Sequence, residues 1–179
     1  MIAKIKLTDA TITKLMKNMV VIVDTREQAN HHIISYFDKK GIKYKIRKLD
    51  FGDYSCFLEA NEELGLLQDV SLENRFVIEK KNSLEEISTN FTKGRTEFAN
   101  EFIRARDKNA RIHLMVEDGS WERIHEHQYD SQFNEKSFYN SMLSFIGKYD
   151  LSLEFVPREL APIHIVRVIQ MELKEILKE

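Results

Sequence analysis

The chain is poor in cysteine, proline and glycine, and each scarcity excludes something. Cys56 has no second cysteine to pair with, so no internal disulfide forms and a reducing compartment suits the chain. No apolar run approaches the ~20 residues that cross a bilayer, and no signal-peptide core follows Met1. With 2 prolines and 6 glycines, the sequence shows no linker, repeat or low-complexity segment. These absences indicate one globular domain without a membrane partner.

An excess of one charge is also missing. The net charge is −2, from 27 basic and 29 acidic residues, so the whole chain exerts no general attraction on nucleic acid. The basic residues instead concentrate in two segments, 39–48 and 93–111, and a solvated face is the simplest interpretation of each segment alone. Any nucleic-acid contact must therefore be local, and the candidates in these segments are Lys43, Lys45, Lys48, Lys93 and Arg95.

Apolar strand patterns alternate with helical ones along the chain. Residues 1–19 are predicted as an N-terminal arm with a turn of helix, and 20–179 as one domain. A tight turn at 50–52 is predicted to join two strands, and 61–74 to form an acidic loop. The alternation predicts an α/β fold with a mixed central sheet and helices on both faces. The predicted strands are 20–23, 44–49, 53–59, 76–81, 112–116 and 151–156. The predicted helices are 30–40, one from Ser83, 96–109, 135–149 and 162–177.

Three carboxylates and one lysine stand at the ends of predicted strands. Asp24 ends the first strand, Asp53 begins the third, and Glu79 and Lys81 share one face of the next because they are two residues apart. Lys80 points to the other face. Two such carboxylates ~4 Å apart repel by roughly 4 kcal/mol at an effective dielectric of 20, so the cluster requires a cation or a proton. Oxygen ligands alone favour Mg²⁺ or Mn²⁺ over zinc.

Other interpretations of these charges remain open. Glu79 and Lys81 could form an ordinary ion pair on one strand face. Arg26 and Glu27 could pair with each other at the surface, and Glu85 could be a charge at a helix N-terminus.

The histidines give weaker signals. His125 and His127 have the i, i+2 spacing of a metal site on a strand, but no third ligand is apparent nearby, so a polar loop is the better interpretation. The other histidines are interpreted as structural or exposed residues: His31, His32, His113 and His164.

The runs Val23–Glu27, Gly52–Tyr54 and Glu79–Lys81 together resemble the nuclease domain of the XPF family, a branch of the PD-(D/E)xK nucleases. Its pattern is V-D-x-R-E, then G-D, then E-R-K-x-x-x-D. The likeness continues through 90–95 and 112–117 and spans about residues 20–156. It implies a restriction-endonuclease-like fold and a metal-dependent DNA endonuclease, selective for branches or single/double-strand junctions.

The resemblance also implies roles for individual residues. Asp53 and Glu79 are the implied core ligands of Mg²⁺ (or Mn²⁺), with the Lys80 backbone carbonyl, and Asp24 binds directly or through water. Lys81 orients the attacking water or steadies charge on the phosphate.

Further residues are implied to support the site. Arg26, Glu27 and Glu85 belong to this supporting set, and Arg95 contacts phosphate. The chain differs from the family by Lys80 in place of arginine and Glu85 in place of aspartate. No tandem helix-hairpin-helix domain fits after residue 156.

Two other functions compete with the endonuclease. One is a non-catalytic junction binder or scaffold, as in family members that have lost the carboxylates and lysine, but this chain retains them. The other is a phosphodiesterase acting on RNA or nucleotides, for which the nucleotide-pocket signature is missing.

The expected partners are DNA, a second copy of the chain and a protein that supplies substrate targeting. The composition is rich in Ile, Lys and Asn, which hints at a bacterial or phage source and a cytoplasmic location, or a nuclear one in a eukaryote. The first candidate for the dimer surface is the apolar set of the final helix: Ile163, Ile165, Val166, Val168, Ile169, Leu173, Ile176 and Leu177. Helix 135–149 is the second candidate.

Overall fold

The computed structural model describes residues 7–179. The first strand-like part of the predicted arm lies mostly in residues 1–6, outside the described residues. The part that is described forms helix α1 (Asp9–Met16), which Thr8 caps by accepting from the Thr11 N–H. Ile12 and Leu15 of α1 are buried in the core, so this helix packs as part of the fold.

The strands and helices follow the predicted alternation. The strands are β1 (Val20–Val23), β2 (Tyr44–Ile46), β3 (Tyr54–Leu58), β4 (Val70–Ser71), β5 (Phe76–Lys81), β6 (Arg111–Glu117) and β7 (Ser152–Val156). The further helices are α2 (His31–Lys40), α3 (Leu84–Thr92), α4 (Arg95–Asp107), α5 (Trp121–His125), α6 (Glu135–Tyr149) and α7 (Ala161–Lys178). The acidic loop contains β4 and a 3₁₀ turn (Glu62–Leu64) that the sequence pattern did not indicate.

The sheet is mixed, as predicted. Its order is β2-β1-β3-β5-β6-β7, and β4 extends it beside β3. β1 is parallel to β2, the pairs β1–β3 and β3–β5 are antiparallel, and β5, β6 and β7 run parallel to one another. The prediction of a mixed central sheet with helices on both faces is confirmed.

The strands joined by the predicted tight turn are not neighbours. Both β2 and β3 pair with β1, which lies between them. The buried, wholly apolar β1 takes the inner position, and the crossover through α2 makes β2 parallel to it. Segment 47–53 therefore passes over the end of β1, where the Arg47 N–H donates to the Val23 carbonyl at 2.9 Å.

The two sheet faces carry separate cores. One face packs against α1, α2 and α7, with Tyr54 and Ile78 among its buried side chains, and the other packs against α3, α4 and α6 around Phe98 and Phe145. On α7, five of the eight residues predicted for a dimer surface are buried within the chain's own core: Ile165, Val166, Ile169, Leu173 and Leu177. The wide apolar face of α7 is therefore covered intramolecularly. Among the described residues, no helix combines the length and apolar character needed to cross a membrane.

Candidate active site

The ends of three strands bring the predicted carboxylates together through backbone hydrogen bonds. The Asp24 N–H donates to the Asp53 carbonyl at 2.8 Å, and the Asp53 N–H donates to the Ile78 carbonyl at 2.8 Å. The Lys80 N–H donates to Asp53 Oδ2 at 2.7 Å. The residues preceding and following Glu79 are thus both bonded to Asp53, which fixes the two carboxylate-bearing segments side by side.

Gly52 makes this approach possible. Its φ of +70° lies in the left-handed region, and a Cβ at this position would stand 2.5 Å from Val77 Cγ2. The Gly52 N–H donates to Glu101 Oε1 on α4 at 2.8 Å. Glycine is therefore required immediately before Asp53, and α4 holds that turn in place.

Glu79 and Lys81 form a buried pair that leaves one oxygen free of partners. Lys81 Nζ lies 2.6 Å from Glu79 Oε1, and the two residues are 3 % and 8 % exposed. Glu79 Oε2 is buried and has no hydrogen-bond partner. Lys81 Nζ also stands 5.0 Å from the centre of the Phe98 ring. An ordinary surface ion pair does not describe this geometry, because a buried, unsatisfied carboxylate oxygen is costly unless a ligand meets it.

The electrostatics of the cluster favour a bound cation. Burial and the charges of Glu79 and Glu27 raise the pKa of Asp53 well above its ordinary value, although Lys81 and the Lys80 N–H act against this. Burial likewise raises the pKa of Glu79 to about 7, opposed by Lys81 and supported by Glu101. Burial disfavours charged Lys81, but Glu79 and Asp53 outweigh it and raise its pKa. The raised pKa values of Asp53 and Glu79 reflect the cost of burying their negative charges, and a bound cation would offset that cost.

Asp24 is engaged by Arg26. Arg26 Nε lies 2.9 Å from Asp24 Oδ2, and its Nη2 donates to the Leu49 carbonyl at 3.0 Å. The hydrogen bond from Arg26 to Asp24 is also the main reason why the pKa of Arg26 is raised. The Asp24 carboxylate accepts from the Leu49 N–H at 3.4 Å as well. The surface pairing of Arg26 with Glu27 is not formed.

The two supporting acids, Glu27 and Glu85, lie in different surroundings. Glu27 Oε1 lies 3.8 Å from Lys80 Nζ, and burial raises the pKa of Glu27. Glu85 Oε1 accepts from the Asp130 N–H at 3.0 Å, so its carboxylate holds the loop before α6. Burial alone would raise the pKa of Glu85, but its hydrogen bonds outweigh this and lower it.

Two residues near the site were not predicted for it. Glu86 Oε2 accepts from the Asn82 N–H at 2.8 Å, and its Oε1 lies 3.7 Å from Lys81 Nζ. Glu101 is an acid within the basic segment 93–111. A cleft of about 370 Å³ opens beside Lys81 and is lined by Arg26, Glu101 and Arg104 among others. The i, i+3 spacing of Glu101 and Arg104 on a helix was the available signal.

The predicted DNA-binding residues divide by position. Lys48 follows the end of β2 that lies beside Asp24, Lys45 is in the middle of β2, and Lys43 precedes its opposite end; all three are exposed. Lys93 is exposed at the end of α3. Arg95 lies against the rings of Phe91 and Phe145, and its Nη1 lies 3.2 Å from Ser141 Oγ; its neighbour Gly94 lines the cleft, and Arg95 itself does not.

The donor set fits a hard divalent cation. Asp53 and Glu79 offer oxygen ligands, and the unpartnered Glu79 Oε2 is the atom that a cation would satisfy. Asp24 does not complete a three-carboxylate group, since its oxygens are turned to Arg26 and Leu49. Among the described residues, one group of His, Cys, Asp or Glu offers three ligand atoms within 4.8 Å of one another. That group does not include Asp24, Asp53 or Glu79. His125 ends helix α5 and His127 lies in the turn after it, bonded to the Ser131 carbonyl at 2.9 Å, so a polar loop describes His127 alone.

Comparison with known proteins gives the family and the fold of the chain. The model of the ERCC4 domain matches residues 23–168. The solved structure of XPF from Aeropyrum pernix is 18% identical with a TM-score of 0.60, over 86% of this chain and 64% of that one. The same protein in complex with DNA gives 18% and 0.60, over 87% and 66%.

At this identity the structural likeness shows the fold, and the chain spans 64% of the length of the first of these relatives. No curated protein sequence matches the chain. The family assignment rests on the domain match, which covers most of the sequence. The chain belongs to the ERCC4 domain family.

Proposed function

We propose that the chain is a metal-dependent, structure-selective DNA endonuclease that hydrolyses phosphodiester bonds near branches or single/double-strand junctions. The observation that carries this proposal is the buried Glu79–Lys81 pair, whose second carboxylate oxygen has no partner beside the protonatable Asp53. A phosphodiester-cutting site needs a cation-binding carboxylate next to a cationic group for phosphate, and these residues provide both.

The residues would divide the work as follows. Asp53, Glu79 and the Lys80 carbonyl would hold Mg²⁺ or Mn²⁺, with Asp24 contributing through water. The bound ion supplies Lewis-acid chemistry toward the phosphate and a more acidic water. Lys81, kept charged by Glu79 and Asp53, would orient the attacking water or bind a phosphate oxygen. The expected products carry a 5′-phosphate and a 3′-hydroxyl.

Residues of the cleft would position the DNA backbone. Arg26 is fixed by Asp24 yet keeps 52% of its side chain exposed, so its guanidinium can still meet a phosphate. Arg104 lines the same cleft, and its Nε lies 3.3 Å from the Asp50 carbonyl. Lys48 extends this surface from the end of β2, and Lys45, Lys93 and the aromatic-packed Arg95 lie further from the cleft.

We also propose that the chain pairs with a second copy. Because α7 is covered by its own sheet, the proposed surface is α6, where the Leu143 side chain is 49% exposed. Sedimentation at tens of micromolar should give about twice 21.2 kDa. A single species at the monomer mass would eliminate the dimer without affecting the proposed chemistry.

A cleavage assay tests the enzymatic proposal directly. Labelled flap, fork, four-way and linear DNAs are incubated with Mg²⁺, Mn²⁺ or EDTA, using the wild type and Glu79→Gln. We expect cleavage of the branched DNAs with either cation and none with EDTA or with Glu79→Gln. Binding of branched DNA without cleavage under every condition would instead establish the non-catalytic junction binder.

A further inference from the structure

A second group of possible metal ligands lies on the opposite face of the sheet. One ligand atom each from His113, Glu154 and His164 lies within 4.8 Å of the others. His113 is on β6, Glu154 on β7 and His164 in the first turn of α7. His113 shares its sheet face with the core residue Met115, whereas Glu79 and Lys81 point to the face that packs against α3 and α4.

His113 distinguishes this group of ligands from a surface ion pair between Glu154 and His164. It is 5 % exposed, its Nδ1 lies 2.8 Å from Ser152 Oγ, and its Nε2 is buried with no hydrogen-bond partner. A metal-binding histidine commonly donates its other ring N–H to such an oxygen, which fixes the tautomer and leaves the second nitrogen as the ligand. The Ser152 hydroxyl oxygen can accept from an Nδ1–H of His113, and in that tautomer the lone pair of Nε2 is open to a Lewis acid.

The other two ligands are already close together. His164 Nε2 lies 2.7 Å from Glu154 Oε2, and the His113 and His164 rings are 5.9 Å apart between centres. Around a tetrahedral Zn²⁺ with bonds of about 2.0–2.1 Å, ligand atoms are roughly 3.4 Å apart. Small side-chain rotations would suffice, since Glu154 retains 48% exposure and His164 26%.

The surroundings leave room and compatible charge. The three residues line a pocket of about 400 Å³ that opens to the surface, so a fourth position can hold water. Of the two arginines on this pocket, Arg111 is paired with Glu172, which leaves Arg167 as the remaining cationic side chain there. Burial, the chief cause, lowers the pKa of His113 and so disfavours its charged form.

We propose that His113, Glu154 and His164 form a Zn²⁺ site that joins β6 and β7 to the start of α7. Two imidazole nitrogens and one carboxylate form a donor set typical of zinc and other late transition cations, and Mg²⁺ does not favour it. A fourth position open to the pocket completes the coordination. The site depends on no residue of the proposed nuclease centre.

Zinc binding to metal-free protein without a histidine tag tests this site. The background is Asp53→Asn/Glu79→Gln, which removes the oxygen ligands of the other centre. After equilibrium dialysis we expect one Zn²⁺ per chain, and an upward shift in melting temperature of about 5–10 °C at a hundredfold excess over Kd. Mg²⁺ should neither displace the zinc nor produce the shift.

Single variants in this background identify the ligands. His113→Gln, His164→Gln and Glu154→Gln should each weaken zinc binding by at least about tenfold, in line with loss of a ligand, and His125→Gln is the matched control on an exposed histidine. Glu154→Gln guards against misfolding, because this side chain is half exposed. Chains that retain no zinc, or that retain it equally in all variants, would overturn the proposal.

Discussion

The two faces of strand β5 carry charged side chains one residue apart, and the fold surrounds them in different ways. On the face that packs against α2 and α7, Lys80 Nζ lies 2.6 Å from Asn82 Oδ1 and 3.9 Å from Glu117. Glu117 in turn meets His32 at one oxygen and Arg158 at the other, both at 2.7 Å. Each oxygen of this fully buried carboxylate has a partner.

On the opposite face of the strand, one oxygen of a buried carboxylate has no partner. Glu79 is about as buried as Glu117, but only Lys81 meets it, and its second oxygen is unpartnered. Its raised pKa reflects that deficit, chiefly through burial. Glu79 and Glu117 are therefore alike in burial and differ in the pairing of their carboxylate oxygens.

Removing the carboxylate of Asp53 or of Glu79 should have the largest effect, and this effect is on DNA cleavage. Asp53→Asn or Glu79→Gln should reduce Mg²⁺-dependent cleavage of a branched DNA by about 10³-fold, because each change deletes a ligand of the cation. DNA affinity should be unchanged or higher, since repulsion of phosphate falls.

Cleavage rates and gel-shift affinities measure the two effects separately. Glu63→Gln, an exposed acid of the 61–74 loop, is the matched control and should leave both at wild-type values. Wild-type cleavage by either site variant would contradict the assignment of the metal site.

The same kind of substitution at Glu117, whose two carboxylate oxygens are both paired, should lower the stability of the fold. Glu117→Gln removes the carboxylate shared by His32, Arg158 and the fully buried Lys80, whose nearest remaining carboxylate is then Glu27 at 3.8 Å. We expect a loss of about 3 kcal/mol in the free energy of unfolding, measured by urea denaturation. Glu79→Gln, in metal-free protein at pH 8, should be as stable as the wild type or more so. Equal destabilisation by the two variants would remove the distinction between the faces.

The titration of Glu79 should account for part of the change in the free energy of unfolding with pH. The folded chain keeps a proton on this group that the unfolded chain releases above its ordinary pKa of 4.5. This stabilisation is fully present below pH 4.5 and is lost as the pH rises to about 7, a fall on the order of 2–3 kcal/mol in metal-free protein. Glu79→Gln should abolish this part of the slope. Superimposable wild-type and variant profiles would show that Glu79 titrates normally.

The smallest effect concerns the two ends of β2. If about four basic residues contact phosphates, log K should fall against log salt with a slope of about −3 to −4. Lys48→Glu, beside the site, should weaken binding several-fold for every DNA sequence and flatten the slope by about 1. Lys43→Glu, the charge-matched change at the candidate contact on the opposite end, should weaken binding less because Lys43 lies farther from Asp24 along β2. Equal losses in both variants would place the DNA along the whole length of β2.

The sequence predicted those parts of the site that depend on local pattern. The apolar runs located every strand that bears a candidate ligand, and the i, i+2 rule placed Glu79 and Lys81 together while turning Lys80 away. Ser83 was a recognisable cap because its hydroxyl and the Glu86 N–H are three residues apart in the chain.

Contacts between distant segments were beyond the sequence pattern. Glu101 reaches the site through one hydrogen bond to Gly52, across 49 residues of chain. The insertion of β1 between β2 and β3 depends on the burial of a whole strand. His113, Glu154 and His164 share no local spacing in the sequence. Only the packing of α7 onto the sheet brings them together.

The backbone bonds that tie Asp24, Asp53 and Lys80 together also have a consequence for how the chain matures. They join segments more than 25 residues apart, through antiparallel and crossover pairings that no single hairpin can form early. Such non-local pairings are completed late in folding, because the entropy of closing long loops must be offset first. A nascent or partly unfolded chain would therefore lack the assembled candidate site, which would form only with the finished sheet.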